Sequence, residues 1–115
     1  MKVIVAGSRT INDRELVFKA IETSGLEVTT VISGCCSSGV DKLGEAWATS
    51  KGVPIDRYPA NWEVYGRMAG PIRNGVMAQK ADALILIWDG RSAGSSSMKS
   101  AATNRGIKIV EVVIP

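Results

Sequence analysis

Short apolar runs rich in β-branched residues alternate along the chain with segments in which apolar side chains recur every three or four positions. The first run, "KVIVAG" from Lys2 to Gly7, has the pattern of a buried strand that delivers its carboxyl end into a loop. Leu16, Val17, Ala20 and Ile21 then follow helical spacing behind a cap at Asn12 or Asp13, and Gly25 stops that helix. "EVTTVIS" predicts a second strand. Val40, Leu43, Ala46 and Trp47 fall on one helical face that ends at Gly52, and "VPIDRYP" supplies a short third strand. "NWEVYG" reads as a loop, followed by a helix from about Pro71 to Lys80 whose proline sits in the first turn, where its missing N–H costs nothing. "ADALILIWDG" is nearly continuous in apolar residues, as in a strand covered on both faces of a parallel sheet. A loop of small residues opens a last helix within "GRSAGSSSMKSAATNRG", and "IKIVEVVIP" is a last strand.

Strands alternating with helices predict an α/β fold: a three-layer α/β/α Rossmann-like single domain over residues 1–115, with right-handed crossovers. Five parallel strands in the order 3-2-1-4-5 are expected. The length of 115 residues and the hydrophobic share of 45% suit one core and are too small for two. There is no internal repeat and no linker.

Charge changes the picture little. The 14 basic and 11 acidic side chains leave +3, scattered rather than gathered into a stripe, which argues against a nucleic-acid partner because such binding needs several phosphate contacts at once. The absence of histidine matters more. It excludes a Ser-His-Asp or Cys-His arrangement and any imidazole metal site, and leaves chemistry to carboxylates, arginines, thiols and backbone amides. The apolar run in "MKVIVAG" is too short for a signal peptide or a membrane span, so a cytoplasmic protein without membrane contact is expected. Cys35 and Cys36 are neighbours, and a disulfide between them would close a strained ring, so both are read as thiols in a reducing compartment.

Ligands of open α/β sheets bind at the carboxyl ends of the strands, near the point where strand order reverses. Every unusual loop of this sequence falls at that edge. The first strand is followed by Gly7, Ser8 and Arg9; the second by "SGCCSSGVD", with Gly34, Ser37, Ser38 and Gly39 ahead of a helix; the fourth by Gly90, Ser92, Gly94, Ser95 and Ser96 ahead of another. Glycines permit close approach, hydroxyls donate, arginine binds anions with two parallel bonds, and helix N-termini favour negative charge. Each loop alone is equally well explained as a turn with a serine cap. Their coincidence on one rim points to an anion. Arg73 and Asn74, in "AGPIRN", add a guanidinium near a helix start, where an anion would account for it better than the helix dipole does.

Asp41 and Glu45, four apart on one helical face, are candidate acid and base, with Asp89 a third carboxylate. A cap at Asp41 and a solvated Glu45 are the plainer reading. Trp47, Trp62 and Tyr65 are candidates to stack on a base, against the alternative of packing. The adjacent thiols are the one candidate for a soft metal or a reactive nucleophile, because a thiolate at a helix N-terminus has a lowered pKa. No metal or other cofactor is expected otherwise.

The ordered blocks "VIVAGSR", "GVDKLGEAWA", "YPANW", "AGPIRN" and "WDG", spread over nearly the whole chain, resemble the YspA-type branch of the SLOG superfamily, Rossmann-like domains common in phages and bacteria. Relatives in that superfamily include cytokinin-activating phosphoribohydrolases and the DNA-processing protein A. The resemblance implies a nucleotide-like small-molecule ligand over the rim and a homo-oligomer. The chain departs from the pattern in four places, one of them the fourth loop, where Ser92-Ala93-Gly94-Ser95-Ser96-Ser97 stands for a Ser-x-Gly-Thr run with polar or basic residues around it. Gly34-Cys35-Cys36-Ser37-Ser38-Gly39 stands where a Gly-Gly-Ala-Arg-Gly run is usual, Asn61 stands for aspartate, and Met98 stands where the phosphoribohydrolases carry a glutamate. The expected function is therefore binding of a nucleotide or nucleotide-derived phosphate, as a sensor or sequestering domain. The alternatives are a nucleoside-monophosphate glycosidic-bond hydrolase working through Asp41, Glu45 or Asp89, and a diverged or engineered member whose cysteines bind metal or react.

Overall fold

In the computed structural model, which describes residues 1–115, the five apolar runs form one parallel sheet. Its strands are β1 (Lys2–Gly7), β2 (Thr30–Ser33), β3 (Ile55–Arg57), β4 (Ala83–Trp88) and β5 (Lys108–Val113), in the order β3-β2-β1-β4-β5. The helices are α1 (Arg14–Glu22), α2 (Gly39–Lys51), α3 (Trp62–Tyr65), α4 (Ala69–Lys80) and α5 (Ala93–Arg105). The expected α/β architecture and strand order are both present. No helix is long and apolar enough to cross a membrane.

The period of two along each strand sorts the core into two halves. Val3 and Val5 of β1 with Ile85 and Ile87 of β4 pack under Val17 and Ile21 of α1 and Val40 and Trp47 of α2. The intervening Ile4, Ala6, Leu84 and Leu86 face Met77 and Ala78 of α4 and Met98 and Ala102 of α5. Because β4 has a helical layer on both sides, all six of its residues are buried. That is why its sequence lacks alternation, and each large side chain so buried contributes about 1.5–3 kcal/mol.

The departures from the expected boundaries have local causes. β2 begins at Thr30 rather than at Glu27 because β1 first pairs there, Lys2 opposite Thr30, and earlier residues run past the end of the sheet. The segment expected as a loop contains α3, started by the Asn61 side chain accepting from the Val64 N–H at 3.2 Å. Gly66, at φ 54°, turns the chain into a 3₁₀ turn over Gly66–Met68, and α4 starts at Ala69, two residues before Pro71. Pro71 still lies in the first turn.

Successive strands step from β1 through β2 to β3 on one side, then β4 crosses to the other side of β1. The order therefore reverses between β1 and β4, and the loops leaving those two strands diverge over a crevice.

Candidate functional site at the β1–β4 switch point

Two loops are sewn together where β1 and β4 end. The Ser8 N–H donates to the Ile87 carbonyl at 3.1 Å, and the Asp89 N–H donates to Ser8 Oγ at 3.2 Å, so buried Ser8 bridges both strands. The Asp89 carboxylate accepts from the N–H groups of Arg91 and Ser92 at 2.8 and 2.9 Å. These backbone bonds hold its pKa below the usual aspartate value and fix the turn into α5. Ser92 then caps α5, its Oγ accepting from the Ser95 N–H at 3.3 Å and its carbonyl from the Ser96 N–H at 3.0 Å. The amides of Ala93 and Gly94 precede the first intrahelical bond, and the first turn of α5 carries no acidic side chain. Ser95 is 4% exposed, and its Oγ has no hydrogen-bond partner.

The N-terminus of α2 is arranged in the opposite way. Asn12 Oδ1 accepts from the Gly39 N–H at 3.0 Å and the Ser8 carbonyl from the Val40 N–H at 3.3 Å. Asp41 occupies the third helical position, 6% exposed. The chain's own oxygens thus occupy this positive end. Burial pushes the Asp41 carboxyl above the ordinary aspartate range, outweighing the hydrogen bond from the Cys36 thiol and the nearby Arg73 charge.

Both thiols are likewise pushed up rather than down. For Cys35 the causes are burial and then the Glu45 charge; for Cys36 they are burial and then Asp41, which opposes a second negative charge and accepts from the thiol. The expected activation by the α2 dipole does not arise, because burial first and the neighbouring carboxylates second favour the neutral thiols. No group of three or more Cys, Asp or Glu side chains is assembled to hold a metal ion. Cys35 also adopts φ 64°, a left-handed conformation that costs a residue with a Cβ about 1–2 kcal/mol.

Two adjoining cavities open on this rim, each about 300 Å³. Gly7, Ser8, Asp41, Asn74, Asp89, Ser92, Gly94 and Ser95 line the first, with Met98 among its apolar residues. Gly34, Cys35, Ser37, Ser38 and Trp62 line the second. Arg9, Cys36 and Arg73 belong to both. Arg73 reaches across from α4, donating from Nη1 to the Gly34 carbonyl and from Nε to Asn74 Oδ1 at 2.9 Å. Buried Asn74 donates in turn to Ser97 Oγ at 3.2 Å, tying α4 to α5.

Six expected residues lie outside both cavities: the stacking candidates Trp47, buried in the core, and Tyr65, exposed on α3, and four from the anion-binding and carboxylate sets. Gly39, at φ 74°, packs against the backbone of Ser8 and Arg9; Gly90, at φ 79°, shapes the turn after β4; Ser96 is exposed on α5. Glu45 accepts from Ser33 Oγ at 2.6 Å and from Arg57 Nε at 3.0 Å, so it ties α2 to β2 and β3. Asn12 was expected as an alternative cap for α1, which Asp13 provides, and it serves α2 instead.

The raised Asp41 carboxyl has a measurable consequence. Its folded-state pKa lies above the ordinary value of 3.8, so the folded state binds the extra proton. That stabilisation is complete below the ordinary value and is lost as pH rises through the raised one. Urea unfolding at a series of pH values should therefore show wild type losing stability relative to Asp41→Asn across that window. A wild-type-minus-variant difference that stays level would mean an ordinary titration at Asp41.

Residues 1–65 match the protein family described as YspA, cpYpsA-related SLOG family. The "Gene 61 protein" of Mycobacterium phage D29 is 29% identical over 119 residues, covering 95% of this chain and 94% of its own length. No solved structure matches.

Proposed function

The chain belongs to the YspA, cpYpsA-related SLOG family, and we propose that it binds a nucleotide or a nucleotide-derived phosphate in the crevice between the β1 and β4 loops, with the phosphate at the N-terminus of α5. The observation that carries this reading is Ser95, a residue of the cavity lining whose buried hydroxyl has no partner of its own. A buried polar group left unpaired costs about 1–3 kcal/mol, and a ligand oxygen would remove that cost. The amides of Ala93 and Gly94, the α5 dipole and the guanidinium groups of Arg9 and Arg73 supply further attraction for an anion. The α2 terminus, filled by Asn12, Ser8 and Asp41, does not compete for it.

Calorimetric titration with adenosine monophosphate and with ribose 5-phosphate tests the proposal. Both should bind wild type, and Ser95→Ala should weaken both about 3- to 10-fold, the worth of one neutral hydrogen bond. Wild type that binds neither compound would end this reading. One observation favours hydrolysis as a second reading: the same cavity holds Asp41, a buried carboxyl that retains its proton to higher pH than usual and so suits a general acid. The same mixtures should then accumulate free adenine, and their analysis decides between binding alone and turnover.

A further inference from the structure

The second cavity is not needed to hold a phosphate, and its walls are of a different kind. Its outer wall is Pro59, Ala60 and Trp62. Trp62 is 54% exposed, whereas Trp47 and Trp88 are 7% and 8% exposed in the two halves of the core. The Cη2 edge of the Trp62 indole lies over Gly70 of α4, where an added Cβ would stand in ordinary van der Waals contact with it at 3.4 Å. The ring thus has one edge against α4 and also lines the cavity. Ser37 and Ser38 also line it, and Ser38 makes no capping bond with its side chain although it is the residue that starts α2. Arg9 and Arg73 form the boundary shared with the first cavity.

We propose that this second cavity is a nucleobase subsite in which Trp62 is the stacking surface and Ser37 and Ser38 meet the polar edge of the base. The proposal rests on the phosphate reading above, which fixes the other end of the ligand. A nucleoside phosphate has the required chemistry: an anion for the α5 terminus, a sugar to cross the boundary at Arg9 and Arg73, and a planar heteroaromatic ring for the indole. Stacking is tolerant of base identity, since every base has a π face, so discrimination between bases would come from the two serine hydroxyls. An exposed indole with no such role gains nothing from lining a cavity beside two guanidinium groups.

Affinities of wild type, Trp62→Ala and Trp62→Phe for adenosine monophosphate and ribose 5-phosphate separate the two levels of the argument. Wild type should bind the nucleotide more tightly than the sugar phosphate. Trp62→Ala should lower the nucleotide affinity about 5- to 100-fold, leave ribose 5-phosphate unchanged, and so remove most of the difference, with Trp62→Phe between the two. Equal affinity of wild type for both compounds would overturn the base subsite while leaving the phosphate site standing. An equal loss of both compounds in Trp62→Ala, with unchanged circular dichroism and a lower mass by light scattering, would also overturn it and assign Trp62 to contact between copies of the chain. Failure of wild type to bind either compound would overturn the phosphate reading and the base subsite with it.

Discussion

Gly7→Ala lowers the stability of the fold by about 2–6 kcal/mol. Gly7 ends β1 opposite Ile87 of β4, at the centre of the sheet. A Cβ there would fall on the Ile87 carbonyl oxygen and lie 2.8 Å from Val40 Cγ2 of α2. Backbone on one side and a buried valine on the other leave no direction in which a flexible side chain gives way. The strands would have to separate, and the Ser8 N–H would lose the Ile87 carbonyl it reaches at 3.1 Å. Overpacking costs about 1–3 kcal/mol, and the buried donor left unpaired adds a similar amount. Such a sum consumes much of the roughly 5–15 kcal/mol that holds a domain together. Gly75→Ala is the control: on α4, with nothing within 4 Å of the added Cβ, it should be neutral or stabilising by up to about 1 kcal/mol. Urea melts followed by circular dichroism compare the two. A Gly7→Ala protein with the wild-type midpoint would show that the β1–β4 junction yields easily.

The same junction shows what the sequence reveals and what it withholds. Glycine at the end of an apolar run announces a strand delivering a loop, and the uninterrupted apolar stretch of β4 announces burial on both faces; right-handed connections between such units narrow the strand orders without fixing one. These are properties of periodicity, which the chain carries locally. The four-residue helix α3 has no period to detect, since it exists through one cap at Asn61 and a turn at Gly66. The two helix N-termini look alike in sequence, small residues and serines in both, yet one is filled by Asn12 and Asp41 and the other carries only its own Ser92 cap. The difference is made by Asn12, 27 residues before the amide it serves, and no spacing rule links those positions. The thiols differ from their sequence expectation for the same reason: a helix start suggests a lowered pKa, but burial, and then Glu45 and Asp41 brought near by folding, raise it.

Arg73→Met should weaken nucleotide binding about 100-fold while leaving the fold intact. Arg73 is the one α4 side chain with a positive charge on both cavities, and its stem runs along partly buried surface that methionine can cover. Two losses combine. A charge-assisted hydrogen bond to phosphate contributes about 1.5–3 kcal/mol, or roughly 10- to 150-fold in affinity. In addition, Arg73 offsets the charge of Asp41 whenever that carboxyl is ionised, and without it the ionised form repels the phosphate even though the carboxyl is pushed up further. The second loss is separable from the first. Asp41→Asn removes the repelling charge, so Arg73→Met combined with Asp41→Asn should recover part of the lost affinity, more than the sum of the single changes allows. Lowering the pH should do the same in the single variant, because Asp41 then takes up its proton. Arg73→Lys, which keeps the charge but not the planar fork, should fall between wild type and Arg73→Met. Calorimetric titration of the five proteins, Asp41→Asn alone among them, with adenosine monophosphate measures all of this. Wild-type affinity in Arg73→Met would place the phosphate elsewhere on the rim, and strict additivity in the double variant would mean that Arg73 acts on the ligand alone.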